Sequence, residues 1–127
     1  MLASHNPSGD IHLVPLWYVV REGVPWCWSY ARAQKIRNLE RDPRVSALVE
    51  LGDRYDELRG LLILGRARLE RDPAVVRALG EELLARYGMP APAQAEAMLA
   101  SATKRVALAI EPERTVSWDH RKLGGRY

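Results

Sequence analysis

Six stretches of the chain carry hydrophobic residues in patterns typical of β-strands, either alternating with polar residues at a period of two or present on both faces. These stretches are residues 11–20, 24–29, 45–50, 58–70, 104–110 and 113–118. Turn signals at residues 6–10 and 21–23 flank the first stretch. With only five residues before them, a strand ahead of residue 6 is expected either to be very short or to have lost its N-terminal part. Both faces of residues 11–20 are largely apolar, which predicts cover on two sides, and Pro15 predicts an interruption because it cannot donate to a strand ladder. Gly65 predicts a bulge.

Apolar residues recur at three- and four-residue spacing in three other segments, which predicts helices. The first runs from about residue 32 to residue 41, buries Ile36 and Leu39, and ends at Asp42-Pro43. The others cover residues 73–87, ended by Gly88, and residues 93–103. Antiparallel strands with inserted helices predict an α+β fold, a six- to seven-stranded antiparallel barrel. Residues 1–127 are predicted to form a single domain.

Length and composition narrow the class of protein. The chain has 127 residues and a net charge of +3, and its basic residues are mostly scattered singly among the acidic ones, which is weak evidence for a nucleic-acid partner. The single cysteine, Cys27, excludes an intrachain disulfide, and the sequence has no Cys/His cluster for zinc. No apolar run approaches the roughly 20 residues that a bilayer span needs, and the first residues do not resemble a signal peptide. We therefore expect a soluble, cytoplasmic protein.

Familiar catalytic patterns are missing from the sequence. It contains no nucleophile elbow, no phosphate-binding glycine loop and no paired carboxylates at helical spacing. His5, His12 and His120 are isolated, and Cys27 between two tryptophans is interpreted as a small buried hydrophobic residue. We predict no catalytic side chain and no metal site, so that any enzymatic chemistry would come from a bound cofactor.

The start of the first helix carries an unusual concentration of positive charge. Arg32, Lys35 and Arg37 occupy the end of a helix where the backbone dipole already favours anions. A phosphate or carboxylate bound there, beside Ser29, would resolve the conflict. The alternative is an ordinary solvated basic surface.

Three strings in the sequence carry a family resemblance. They are DIHLVPLWY at residues 10–18, Ser29 followed by KIRNLERDPRV at residues 35–45, and GRA at residues 65–67 before Asp72-Pro73. Together they resemble the pyridoxamine 5′-phosphate oxidase-like flavin-binding split-barrel superfamily. Within it, the string KIRNLERDPR and the closing SWDHRKL at residues 117–123 are similar to probable oxidoreductases that use the deazaflavin coenzyme F420.

The resemblance implies a homodimer of split β-barrels with F420, or alternatively FMN, in two clefts between the subunits. Gln34 and Lys35 would hold the phosphate, with Arg32 in a supporting position because Ala33 stands where the family often has Ser or Arg. The residues implied to contact the cofactor are Trp28, Ser29, Arg32, Gln34, Lys35, Arg37, Pro15, Leu16, Trp17 and Arg59, with Trp118 and Lys122 reaching it from the other subunit. Family members usually begin with a helix that caps the barrel, and this sequence is expected to lack it.

The function expected from this resemblance is hydride transfer between F420 or FMN and a small conjugated acceptor. Two alternatives stay open. One is a split barrel that binds flavin or haem without turnover. The other is a small basic barrel that binds nucleic acid, with Trp26, Trp28 and Tyr30 as stacking platforms for bases.

Overall fold

The computed structural model of the chain describes residues 1–88 and 91–124. It contains seven strands: β1 Leu2–His5, β2 Ile11–Val14, β3 Val19–Arg21, β4 Val24–Tyr30, β5 Arg44–Leu51, β6 Arg59–Glu70 and β7 Arg105–Asp119. Its α-helices are α1 Gln34–Arg41, α2 Pro73–Tyr87 and α3 Pro92–Ala100. Short 3₁₀ turns cover Tyr55–Glu57, Ser101–Lys104 and His120–Leu123. Residues 125–127, at the end of the chain, lie outside the described residues.

The seven strands form one antiparallel sheet in the order β2-β1-β5-β6-β7-β4-β3. The long strands β6 and β7 lie at its centre, and their pairing extends from Arg59 opposite Asp119 to Glu70 opposite Ala107. This architecture is an α+β split barrel, which confirms the predicted fold class and strand number.

Two strand predictions are wrong in their boundaries. Residues 11–20 do not form one strand, because β2 ends at Val14 and β3 begins at Val19. The irregular segment between them begins at Pro15, which has no N–H for a ladder. Conversely, residues 104–110 and 113–118 were predicted as separate strands and instead belong to the continuous β7.

A bulge allows β7 to continue through Pro112. The register shifts between Leu64 and Gly65, so that Gly65 lies opposite Pro112 while Leu64 lies opposite Arg114. A Cβ atom at residue 65 would lie 2.1 Å from the carbonyl oxygen of Glu111, so the backbones approach too closely there for any other residue. The predicted bulge at Gly65 is confirmed.

Two hydrophobic clusters lie on opposite faces of β4 and β7. The barrel core includes Cys27 and Leu108, with Ile36 and Leu39 of α1 closing it. The second cluster lies beneath α2, and its members are Val19, Trp28, Val76, Leu79, Leu83, Ala102 and Ala107. Cys27 is only 1% exposed, as predicted for a small buried hydrophobic residue.

Apolar side chains are exposed on the face of β1, β2, β5 and β6 that points away from the barrel core. Leu13 pairs with Ala3, Ser46 with Leu64, and Leu48 with Leu62, and paired residues lie on the same face of an antiparallel sheet. Leu13 is 55% exposed on this face, and Ile11 is 58% exposed. We call this surface the open face and define it by Ile11, Leu13, Leu48, Leu62, Leu64 and Val116. No helix within residues 1–88 and 91–124 is both long and apolar enough to cross a membrane.

Candidate functional site

The first helix begins immediately after β4, through a tight turn. The Ala33 N–H donates to the Tyr30 carbonyl at 2.9 Å, and α1 starts at Gln34. The N-cap residue, Ala33, offers no side chain to cap the helix, and the first turn carries no acid. The N-terminal dipole of this helix is therefore balanced neither by a capping side chain nor by an acidic one.

Lys35 lies at the centre of this helix start. Its Nζ donates to the Ser29 hydroxyl at 3.0 Å, and Ser29 is itself buried at the end of β4. Burial lowers the pKa of Lys35 below its ordinary value of 10.5, and the nearby Cys27 thiol opposes that change weakly. In the part of the chain that the structure describes, Lys35, Arg32 and Arg37 form no ion pair with a carboxylate. The positive charge of this helix start is therefore uncompensated.

A buried amide fixes the helix against the first hairpin. Asn38 is fully buried, and its Nδ2 donates to Ser4 Oγ at 3.2 Å and to Asn6 Oδ1 at 2.9 Å. Its Oδ1 accepts a hydrogen bond from Gln34 Nε2 at 2.9 Å. The orientation of Gln34, and with it that of the whole first turn, is thus set by contacts with β1 and the loop after it.

The side chains of residues 15–18 contact different parts of the molecule. Leu16 packs against the barrel core and lines a cavity of about 250 Å³. Trp17 turns outward and stacks on Tyr87 at the end of α2, with ring centroids 4.8 Å apart and planes at 6°. The Tyr18 N–H donates to the Tyr87 hydroxyl at 3.3 Å. Pro15 is exposed.

The structure does not place the side chains of Trp28 and Ser29 in the same site. Successive side chains of a strand point to opposite faces, so Ser29 faces Lys35 while the Trp28 indole enters the cluster beneath α2. A Cβ atom at residue 80 would lie 2.5 Å from Cη2 of Trp28, which shows how tightly the ring packs on Gly80. At 5% exposure, Trp28 cannot serve as a stacking platform for bases.

The remaining predicted residues lie at the far end of the sheet, where β6 begins and β7 ends. Arg59 lies opposite Asp119, Trp118 covers Gly60, and Lys122 lies in the 3₁₀ turn that follows β7. Val106 is the register partner of Ser29, and Trp118 is twelve residues further along β7, a path along the strand of at most roughly 40 Å at about 3.3 Å per residue. Arg59, Trp118 and Lys122 therefore lie well along the sheet from Ser29 of the same chain.

Comparison with known families identifies the family of this chain. The family model described as pyridoxamine 5′-phosphate oxidase matches residues 1–119. The chain belongs to the pyridoxamine 5′-phosphate oxidase family. No curated protein matches it in sequence.

Solved structures of other proteins share this fold. A conserved hypothetical protein of Mycobacterium tuberculosis, Rv2991, is 41% identical, with a TM-score of 0.87 over 99% of this chain and 79% of that one. An F420 reductase is 24% identical, with a TM-score of 0.72 over 91% and 86% of the two chains. The haem storage protein HutZ of Vibrio cholerae is 17% identical, with a TM-score of 0.71 over 91% and 82%. The last two show the fold alone.

For a member of the pyridoxamine 5′-phosphate oxidase family, this chain has two structurally important residues that the sequence did not reveal. Asn38 is a polar residue between Ile36 and Leu39, and no periodicity pointed to its burial. Tyr87 is the last residue of the predicted helix 73–87, and nothing in the sequence indicated that it stacks on the distant Trp17. Within the described residues, no group of three potential metal ligands comes together.

Proposed function

We propose that this protein is a homodimeric oxidoreductase that binds F420, or alternatively FMN, and transfers hydride to or from a small conjugated molecule. The observation that carries this proposal is the half-buried, unpaired Lys35 held by Ser29 at a helix start without acids. Leaving such a charge without a counterion is costly, and a phosphate would compensate both the lysine and the helix dipole.

The residues at the helix start fit the phosphate of such a cofactor. Lys35 supplies a positively charged donor, and the first backbone N–H groups of α1 supply neutral ones. Gln34 is held by Asn38, and the exposed Arg32 and Arg37 add positive charge around it. A flavin or deazaflavin bound here would supply the hydride chemistry, and the protein would bind and orient it. We assign no side chain of this chain to proton transfer.

The wall for the cofactor ring is the segment Pro15, Leu16 and Trp17. Leu16 already lines the cavity of about 250 Å³ beside the barrel core. The stacking of Trp17 on Tyr87 turns that indole away, so this segment would meet a ring through its backbone rather than through the tryptophan. Trp28 would not contact the ring and would only hold β4 against α2.

A second copy of the chain would complete the site. The open face exposes Ile11 and Leu13, and burial of such an apolar surface favours association. Trp118 lies at its far end, and Lys122 lies in the turn that follows β7, whereas Arg59 pairs with Asp119 on the other face of the sheet. Dimerisation through the open face would let this end of the sheet approach the helix start of the partner subunit.

Titration of the purified protein with F420 and with FMN, followed by fluorescence, tests the proposal. Lys35→Ala should weaken binding at least about tenfold, because a charge-assisted contact contributes roughly 1.5 to 3 kcal/mol. Arg77→Ala is the matched control, since it removes one cation from α2 and should leave affinity unchanged. Failure of the unmodified protein to bind either cofactor would contradict the proposal, as would equal binding by Lys35→Ala. Binding of cofactor without reduction of any acceptor would support a carrier instead of an enzyme.

A further inference from the structure

The chain leaves the sheet between β2 and β3, at the segment that forms the proposed wall for the cofactor ring. Strand β2 ends at Val14 and β3 begins at Val19, so residues 15–18 belong to neither strand of the described sheet. Without ladder hydrogen bonds, such a segment takes its position from its side-chain packing and from isolated hydrogen bonds. We call residues 15–18 the wall segment.

The wall segment is held on two sides. Leu16 and Tyr18 pack inward against the barrel core. Trp17 points outward, and its indole stacks on Tyr87 with ring centroids 4.8 Å apart. The Tyr87 hydroxyl also accepts a hydrogen bond from the Tyr18 N–H at 3.3 Å. One residue of α2 therefore contacts two successive residues of the wall segment.

Arg86 adds a further contact from the same end of α2. Its guanidinium lies 4.2 Å from the ring centroid of Tyr18 and 5.3 Å from that of Tyr87. Both distances are within the range of a cation–π interaction. The outer side of the wall segment is thus fastened to the last turn of α2, and Tyr87 takes part in each of these contacts except that between Arg86 and Tyr18.

The helix that carries Tyr87 is itself firmly fixed. Leu79 and Leu83 are fully buried in the cluster beneath α2. The Arg21 side chain donates to both carboxylate oxygens of Glu82, at 2.7 and 3.0 Å, and so joins β3 to α2. Because Tyr87 is the last residue of this helix, its ring is a fixed support against which the wall segment packs.

We propose that Tyr87 is a positioning residue of the cofactor site, which holds the wall segment in place for the ring through its stack on Trp17. This inference rests on the proposed function, since it requires the ring to lie against the wall segment. Tyr87 itself would not touch the cofactor. Ligand affinity falls in proportion to the fraction of molecules whose site is correctly formed, and an aromatic pair shifts such a fraction by roughly two- to tenfold.

The test is a fluorescence titration with the cofactor that the unmodified protein binds, F420 or FMN, and a reading of the emission anisotropy of the bound cofactor at saturation. Tyr87→Leu removes the stacked ring and should weaken binding by roughly three- to tenfold. It should also lower the anisotropy, because a ring beside a displaced wall moves more freely. Tyr87→Phe keeps the stacked ring and should restore both the anisotropy and the affinity, the latter to within about twofold.

Val76→Ala is the control for a general loss of stability. Val76 is fully buried near the start of α2, so alanine opens a cavity there and destabilises the same helix. The residue lies eleven positions before Tyr87 (87 − 76), roughly 16 Å along the helix at about 1.5 Å per residue. Its replacement should therefore leave the affinity within about twofold and the anisotropy unchanged.

Trp17→Leu breaks the same stack from the side of the wall segment, and it carries the test if Tyr87→Leu does not fold. Two residues that act as one unit have strongly non-additive effects. Trp17→Leu/Tyr87→Leu should therefore weaken binding no more than Tyr87→Leu alone. Losses that multiply in the double variant would overturn the assignment of Tyr87 to the wall segment.

The outcomes separate this inference from the proposed function. Unchanged affinity and anisotropy in Tyr87→Leu would overturn the positioning role, while binding that depends on Lys35 would leave the proposed function intact. A loss in Val76→Ala equal to that in Tyr87→Leu would also overturn it, because stability alone would then explain the effect. So would an equal loss in Tyr87→Phe, which keeps the ring. If the unmodified protein binds neither cofactor, both the positioning role and the proposed function fail.

Discussion

Replacing Asn38 with alanine should destabilise the protein substantially, although the residue lies on a helix of only eight residues. Its amide is fully buried and makes three hydrogen bonds, to Ser4, to Asn6 and from Gln34. Alanine removes all three and leaves the buried Ser4 hydroxyl without this donor. The substitution keeps the backbone and improves helix propensity, so it isolates the contribution of the amide.

The expected loss follows from these contacts. A neutral hydrogen bond contributes about 0.5–1.5 kcal/mol net, so three contribute roughly 1.5–4.5 kcal/mol. The better helix propensity of alanine returns less than about 0.7 kcal/mol. We therefore expect the free energy of unfolding of Asn38→Ala to fall by roughly 1–4 kcal/mol.

Urea denaturation of Asn38→Ala beside the unmodified protein measures this loss as a lower midpoint with an unchanged m-value. Arg37→Ala is the control for stability, because Arg37 is exposed on the same helix and should change the free energy by less than about 0.5 kcal/mol. A loss below about 0.5 kcal/mol for Asn38→Ala would show that the amide network does not hold α1 to β1.

Three further predictions concern other parts of the molecule. Burial raises the pKa of the Cys27 thiol to about 12, so Cys27 should not react with a thiol reagent in the native protein and should react fully in urea; rapid native reaction would contradict its burial. Tyr87→Ala should lower the free energy of unfolding by about 0.5–1.5 kcal/mol through loss of stacking on Trp17, and Tyr87→Phe by less; equal losses would mean that the ring contact contributes nothing. Burial lowers the pKa of Lys35, and a neutral lysine attracts phosphate poorly, so the affinity for the cofactor should fall as the pH rises through a value below 10.5. In Lys35→Arg this fall should be absent over the pH range in which the protein stays folded.

Short-range sequence patterns were sufficient to predict β4 and α1, the strand and helix that carry the candidate site. The strand ending at Tyr30, the helix ending before Asp42 and the basic character of its start all follow from short-range patterns. The α2 helix was likewise predicted with its bounds, because Asp72 caps it and Gly88 ends it. These features depend on neighbours within a few residues, which the sequence displays directly.

Other features depend on contacts that sequence periodicity cannot display. The continuity of β7 through Pro112 requires the opposite residue to be Gly65, some 47 positions away (112 − 65). The outward turn of Trp17 depends on Tyr87, and the burial of Asn38 depends on β1. For Trp28 and Ser29 the sequence did carry the right information. Strand alternation alone places the two side chains on opposite faces, although the family resemblance implied that both contact the cofactor.

In the proposed function, each cofactor site combines the helix start of one subunit with the end of β7 of the other. Lys35→Ala and Trp118→Ala chains, each expected to bind F420 poorly as a homodimer, provide the most direct test when mixed and allowed to exchange subunits. A mixed dimer contains one site with both residues intact and one with both removed. We expect mixing to restore binding at one site per mixed dimer. Binding by the mixture that does not exceed the sum of the two separate variants would contradict it.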